Sequence, residues 1–270
     1  MSVILEKYQA TGNDFILSTL PPANPSDFAK MVCDRHFGIG ADGILFPEAS
    51  SNADITMRYY NADGSEAPMC GNGLRAFVKF VRAHNLVKSP SFSVETRGGL
   101  MRVCDDGENV QLEFPNPTPY TPYDETQLPS RVDLRLEGQT LTLYLLRTGT
   151  DHAVLFTEDK SFIDRVGQTL STHAQFKEGM NVNFVQVNDE NTLSVETFER
   201  GAGKTLSCGT GVLASAYVAH HVLKTASKLT VHVPGGTLKV DLTQGFRLEG
   251  PAKKVASLRL EEAVLWHTSR

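Results

Sequence analysis

Short runs of alternating apolar and polar residues, each closed by glycine, asparagine or aspartate, make up most of this chain. Residues 55–60 (ITMRYY) and 193–198 (LSVETF) are rich in β-formers and bounded by turn residues, and 92–95, 182–187 and 229–233 read the same way. The period changes after two cysteines. Leu74, Phe77, Val78 and Val81 recur at helical spacing through residues 73–85, and Val212, Leu213, Ala216 and Ala219 do so after Cys208. Smaller helices are predicted at 26–33 and 159–173. The pattern is therefore strands around one main helix, found twice.

The halves also match in sequence. Thr11-Gly12-Asn13-Asp14 answers Thr148-Gly149-Thr150-Asp151, and the cysteines follow those glycines by 58 and 59 residues. Beyond them, Gly98-Gly99-Leu100-Met101-Arg102-Val103 answers Gly235-Gly236-Thr237-Leu238-Lys239-Val240, and Leu112-Glu113-Phe114-Pro115 answers Leu248-Glu249-Gly250-Pro251. Four anchors in one order predict two similar domains, 1–115 and 116–260. The proline-rich stretch 114–122 reads as the linker.

Composition narrows the classes. With 40% hydrophobic and 21% charged residues, 270 residues suit a globular protein of one large or two ordinary domains. A net charge of −5 offers nucleic acid or an anionic membrane no attraction, and no apolar run approaches a membrane span. The opening residues lack a secretory signal, and nothing marks the four cysteines as those of an exported protein. Reduced thiols and a cytoplasmic protein are expected.

Met69-Cys70-Gly71-Asn72-Gly73 and Ser207-Cys208-Gly209-Thr210-Gly211 carry the chemistry. Each sets a thiol at a helix start, where backbone N–H groups and the dipole favour thiolate. Two such thiols outline a racemase or epimerase, one removing a proton from carbon and the other returning one to the opposite face. Cys33 and Cys104 read as small buried hydrophobes. Gly38-Ile39-Gly40-Ala41-Asp42-Gly43 fits a dinucleotide pattern, but a strand-like run follows it rather than a helix, and Gly201-Ala202-Gly203-Lys204-Thr205 lacks the first P-loop glycine. No metal-ligand spacing is present, so no metal is expected.

At these motifs the whole chain resembles the diaminopimelate epimerases. The resemblance rests on Gly12-Asn13-Asp14-Phe15, the 38–43 glycine segment, Asn61-Ala62-Asp63-Gly64-Ser65-Glu66, both cysteine blocks and Glu199-Arg200-Gly201-Ala202-Gly203. It implies an α+β fold of two pseudo-symmetric domains, each a curled mixed sheet wrapped around a central helix, with a last strand, 261–270, returning to the first domain and the active site in the inter-domain cleft. It also implies cofactor-free interconversion of LL- and meso-diaminopimelate in lysine and peptidoglycan precursor synthesis, and a homodimer. Cys70 and Cys208 become the acid–base pair facing one substrate, with His152 and Glu199 adjusting their proton affinity. The N–H groups of Gly71, Asn72, Gly209 and Thr210 would hold the α-carboxylate. Asn13 would bind near the reacting end, and Asn61, Thr150, Asn181, Glu199 and Arg200 at the distal end.

Three positions depart from that pattern. Thr150-Asp151 replaces a usual Asn-Pro, Lys204 a glutamate, and Gly43 a glutamine found in some members. Thr150 and Asp151 leave open a related racemase of another amino acid. A non-catalytic amino-acid-binding protein is the alternative of another class, although binding alone needs neither thiol.

Overall fold

The computed structural model describes residues 3–123, 125–159 and 161–260. In chain order the elements are β1 (Val3–Ala10), β2 (Asn13–Leu17), α1 (Pro25–Cys33), β3 (Gly43–Glu48), β4 (Ile55–Asn61), α2 (Gly71–Ala83), β5 (Ser91–Thr96), β6 (Gly99–Asp105) and β7 (Asn109–Phe114). Then follow β8 (Ser130–Leu136), β9 (Gln139–Arg147), β10 (Asp151–Phe156), α3 (Phe162–Ser171), β11 (Asn181–Asp189), β12 (Thr192–Glu199) and β13 (Gly203–Thr205). The chain ends with α4 (Gly209–Leu223), β14 (Lys228–Val233), β15 (Gly236–Asp241), β16 (Phe246–Pro251) and β17 (Lys253–Leu260).

Two compact units result, one running to Leu112 and resuming at Gly250, the other spanning Glu113–Glu249. The sequence boundaries were expected at 115/116 and 260/261. The strand that returns to the first unit is β17, antiparallel to β1; residues 261–270 lie outside the described residues. The proline-rich stretch is tied to the second unit, where Thr118 exchanges two backbone hydrogen bonds with Arg147 and Tyr120 is buried in an apolar cluster.

Pairing senses repeat between the units. In the first, β17–β1 and β1–β2 are antiparallel, β2–β3 parallel, β3–β4 antiparallel, β4–β5 parallel and β5–β6 antiparallel. In the second, β8–β9 and β9–β10 are antiparallel, β10–β11 parallel, β11–β12 antiparallel, β12–β14 parallel and β14–β15 antiparallel. A parallel joint needs a long crossover. Helices α1 and α2 supply the two in the first unit, and α3 and α4 those in the second. The glycine pairs 98–99 and 235–236 close matching hairpins, with Gly99 at φ 117° and Gly236 at φ 145°.

The crossover after each cysteine is the core of its unit. Leu74, Ala76, Phe77, Val78, Phe80 and Val81 of α2 are buried, as are Val212, Leu213, Ala214, Ala216, Val218 and Ala219 of α4. Helix α4 is apolar on nearly every side, as suits a helix inside a fold, whereas α2 buries a broad apolar face and carries Arg75, Lys79 and Arg82 as well. Accordingly α2 meets β1–β4, β6 and β17, and α4 meets β9–β12, β14 and β15. Each fully buried Leu, Val or Phe contributes roughly 1.5–3 kcal/mol relative to exposure, so the cysteine at each helix start stands on a rigid base. This is the α+β fold expected, a mixed sheet around a central helix in each unit.

Candidate active site

Cys70 is the N-cap of α2, in extended conformation, and its Sγ accepts the Gly73 N–H at 3.4 Å. Two residues on, the buried Asn72 donates from Nδ2 to Asn13 Oδ1. Asn13 in turn donates to Asp42 Oδ2 at 2.9 Å, and Asp42 also accepts the Asp14 N–H at 3.1 Å. Arg35 forks across Asp14, at 3.1 and 2.7 Å, and reaches Asp42 at 2.9 Å, while Lys7 stands 2.8 Å from Asp14. Burial pushes the Asp14 carboxyl up, but Arg35 and Lys7 outweigh it and hold the carboxyl below its ordinary range. The 38–43 glycine segment thereby finds its use. It folds tightly over the end of α1, where a Cβ on Gly38 would lie 2.2 Å from the Met31 carbonyl, and it delivers Asp42 under Asn13. Asn61 is held by its own turn, with Nδ2 donating to Ser65 Oγ at 3.0 Å.

The second unit builds a different surround on the same plan. Cys208 caps α4 without a side-chain bond to that helix's N–H groups, and Thr210 Oγ1 lies 3.5 Å from its Sγ. The fully buried His152 contacts Thr210 Oγ1 and Thr150 Oγ1 through Nε2, both at 3.0 Å. Its Nδ1 faces Asn183 Nδ2 at 3.1 Å, and that amide's Oδ1 accepts from Thr197. Asn183 is thus the donor to Nδ1, which puts the imidazole proton on Nε2, aimed at the two hydroxyls. Burial pushes His152 down to about 3, the Asn183 contact opposing and the Arg200 charge assisting, so the ring is neutral around pH 7. Gly211 permits this contact, since a Cβ there would lie 2.2 Å from Asn183 Oδ1.

Glu199 stands on the other side of the thiol. Its carboxyl accepts from Thr205 Oγ1 at 2.6 Å and hydrogen-bonds Cys208; burial raises its pKa, and those two bonds only partly oppose the rise. Asn181 lies opposite His152 in the β10–β11 register and ties three residues together. Its Nδ2 donates to the Asp151 carbonyl at 3.0 Å and Thr150 Oγ1 at 3.3 Å, and its Oδ1 accepts the Arg200 N–H at 2.9 Å. The Arg200 side chain crosses Gly179 and donates to the Glu178 carbonyl at 2.9 Å. Thr150, His152, Asn181, Glu199, Arg200, Cys208, Gly209 and Thr210 are therefore linked locally, as are Asn13, Cys70, Gly71 and Asn72 in the first unit.

A model of the diaminopimelate epimerase family matches residues 6–118 and 144–255, a span that includes both cysteine helices. The chain belongs to the diaminopimelate epimerase family. It is 38% identical to the diaminopimelate epimerase of Alkaliphilus metalliredigens, across 94% of this chain and 96% of that protein. It is 36% identical to the diaminopimelate epimerase of Methanothermobacter thermautotrophicus, across 94% and 96%. Among solved structures, a phenazine biosynthesis protein of the PhzF family from Bacillus anthracis superposes with TM-score 0.73 at 17% identity, covering 97% of this chain and 99% of that one. A probable proline racemase from Agrobacterium radiobacter gives TM-score 0.65 at 14% identity, covering 96% and 93%. These two share the fold alone.

The departures from the family pattern have local explanations. Lys204 pairs with Glu196 at 2.8 Å and Asp164 at 3.2 Å, an ion-pair cluster that joins β13 to β12 and α3. Gly43 leaves no room for a glutamine, because a Cβ would lie 2.5 Å from the Tyr60 carbonyl and 2.6 Å from the Tyr59 ring. Asp151 is matched by Arg147 at 3.2 Å. Of the two cysteines expected to be buried, Cys33 is, and burial pushes its thiol up to about 12. Cys104 is half-buried and accepts from Ser91 Oγ at 3.2 Å, because it stands near the end of β6.

Sequence reasoning missed Asp42, Arg35, Asn183, Thr197, Thr205 and the Thr210 hydroxyl. One signal was available: Asn183 interrupts the apolar run Val182, Phe184, Val185, and a buried amide needs partners. None of the described helices is long and apolar enough to cross a membrane.

Proposed function

We propose that this chain interconverts LL- and meso-diaminopimelate without a cofactor, using Cys70 and Cys208 as the two bases. The observation that carries this reading is that each thiol caps the start of a buried central helix, in a chain of the diaminopimelate epimerase family. One thiolate takes the α-proton while the other thiol delivers a proton to the opposite face, so the centre inverts and the two sulfurs exchange protonation states. The α-proton is weakly acidic, and the negative charge that grows on the α-carbon and carboxylate needs fixed dipoles aimed at it. The N–H groups of Gly71, Asn72, Gly209 and Thr210, at the two helix starts, have that character.

In the second unit, neutral His152 holds the Thr210 hydroxyl, which then donates to Cys208 when that sulfur is charged. Glu199, its acid form favoured by burial, is placed to hydrogen-bond the same sulfur in either state. Asn13, steadied by Asp42 and Asn72, binds beside the reacting centre. Asn61, Thr150, Asn181, Glu199 and Arg200 hold the distal ammonium and carboxylate, Arg200 through two parallel N–H donors. The Arg147–Asp151 pair supports diaminopimelate over a basic amino acid, because the carboxylate that would attract a distal cation already has its partner. The same reading makes the protein cytoplasmic, with thiols kept reduced, and a homodimer, which sedimentation tests.

The experiment is a side-by-side rate in D₂O for LL-diaminopimelate, lysine, ornithine, arginine, histidine and glutamate. Inversion with α-deuteration of diaminopimelate well above the others is expected. A clear preference for any of the other five would overturn the substrate, and binding without exchange would overturn the enzyme.

A further inference from the structure

Arg75 lies on α2, five residues beyond Cys70, and is fully buried. Its Nη2 donates to Thr11 Oγ1 at 2.9 Å and its Nε to the Pro251 carbonyl at 3.3 Å, while Nη1 has no hydrogen-bond partner. Among the described residues no carboxylate forms an ion pair with it. A buried guanidinium keeps its proton, and a buried charge without a counter-charge is costly. Side chains on a helix lean back toward its N-terminus, which carries this guanidinium toward the Cys70 end of α2 and to Thr11 in the β1–β2 turn.

Other charges on the elements around α2 are already balanced or exposed. Glu6 of β1 pairs with Lys254 of β17 and with His84. Lys7 of β1 and Asp14 of β2 pair with each other and Arg35, and Arg35 also pairs with Asp42. Arg58 of β4 pairs with Glu48 of β3 and Glu66, and Asp105 of β6 with Lys79 and Arg82. Arg102 of β6 and Lys253 and Arg259 of β17 are exposed. Tyr59 of β4 is buried and its phenol is pushed up by that burial, then by Cys70, so it stays neutral. Burial draws Arg75 itself down to about 10, and the charge of Cys70 pulls it back. In the second unit the matching place, five residues after Cys208, is the apolar Leu213.

We propose that Arg75 is a positioning residue whose buried charge is matched by Cys70, so that Cys70 is the thiolate in the resting protein and Cys208 the thiol. This rests on the two-thiol reading above and adds a direction to it. A free protein in that state takes the first proton on the Cys70 side. Arg75 acts through the sulfur and through Thr11, without touching substrate.

The test is the pH dependence of iodoacetamide alkylation at each cysteine, read peptide by peptide in the full chain, for wild type, Arg75→Lys and Arg75→Met. Arg75→Met is expected to raise the Cys70 midpoint by about one pH unit or more, slowing its alkylation at neutral pH about tenfold. The acid limb of kcat/KM should move with it, Arg75→Lys should restore both, and the Cys208 midpoint should stay. An unmoved Cys70 midpoint, an equal shift at Cys208, or a lysine variant indistinguishable from methionine overturns the proposal. Should Arg75→Met not fold, thiolate absorbance near neutral pH decides. The band is expected to vanish in Cys70→Ser and persist in Cys208→Ser; the reverse overturns the proposal. Full epimerase activity in Cys70→Ser would instead sink the two-thiol reading itself, whereas an essential Cys70 indifferent to Arg75 sinks only this inference.

Discussion

Equivalent positions around the two cysteines hold different chemistry. Where the first unit places Phe15 beneath the helix start, the second places His152; where Asn72 bonds Asn13 through amides, Thr210 meets Thr150 through hydroxyls. Asn61 stands nine residues before Cys70, and Glu199 nine before Cys208. Asp14 is clamped by Arg35 and Lys7, Asp151 by Arg147. The strands, crossovers and caps were kept, so each thiol still sits at a rigid helix start. What diverged is the surround: Phe15 and the Asn72–Asn13–Asp42 chain on the Cys70 side, and the Glu199 carboxyl with a neutral imidazole acting through Thr210 on the Cys208 side. Two acid–base groups that must start in opposite protonation states benefit from unlike surroundings.

The strongest way to break this division is to remove either sulfur. Cys70→Ala and Cys208→Ala should each lose at least the 10²–10⁴-fold typical of about one general acid or base, with unchanged circular dichroism. Near-normal inversion in either variant would make that thiol a bystander.

His152→Phe transplants the first unit's residue into the second. Losing the support of the Thr210 hydroxyl should cut kcat/KM by about 10²-fold, the scale of a misplaced catalytic group. It should also change acid stability. The imidazole is pushed to about 3 in the fold from 6.5 in the unfolded chain. Between those values the unfolded chain binds the extra proton, so stability falls as pH falls through that window, by at most roughly 1.4 kcal/mol per pH unit. Denaturation midpoints from pH 7 to 4 should show a shallower decline in the variant. An unaltered slope would mean that His152 is not the group that charges on unfolding.

Much of this comparison is legible in the sequence and some is not. The helical spacing after each cysteine and the four matched anchors give α2, α4 and the duplication, because core helices and tight turns impose residue types. The equivalence of β8 and β17, which pair with β9 and β1, cannot be read that way. They come from opposite sides of their partners in the chain, and β17 is mostly exposed, with Val255 at 59%. Cys70, Cys208, Asn13 and Asn72 follow from the repeated motifs. Asp42, Thr197 and Asn183 do not, since single polar residues in loops or strands acquire a role only when register brings them beside Asn13 or His152.

Arg200→Met should act on the substrate's distal end and leave the thiols alone. Losing a charged bidentate contact of about 1.5–3 kcal/mol predicts a KM rise of about tenfold to a hundredfold, with kcat less affected. A kcat loss equal to that of a cysteine variant would move Arg200 into the acid–base machinery. The smallest effect is expected at Lys204, whose ion-pair partners are Glu196 and the exposed Asp164. Lys204→Ala should keep kcat/KM within about twofold and stability within about 0.5 kcal/mol; a larger fall would tie that exposed cluster to the site.

The central claim is that two separate bases act, and isotope bookkeeping at the start of the reaction tests it most directly. LL-diaminopimelate is incubated in D₂O, and both isomers are recovered and weighed by mass spectrometry before equilibrium. A thiolate that takes the α-proton can return only that proton to the same face, while the opposite thiol delivers solvent deuterium. Early meso product should therefore carry one deuterium per inversion while recovered LL substrate remains protiated. Deuterium appearing equally early in the recovered LL isomer would mean a single exchanging base, and would contradict the account.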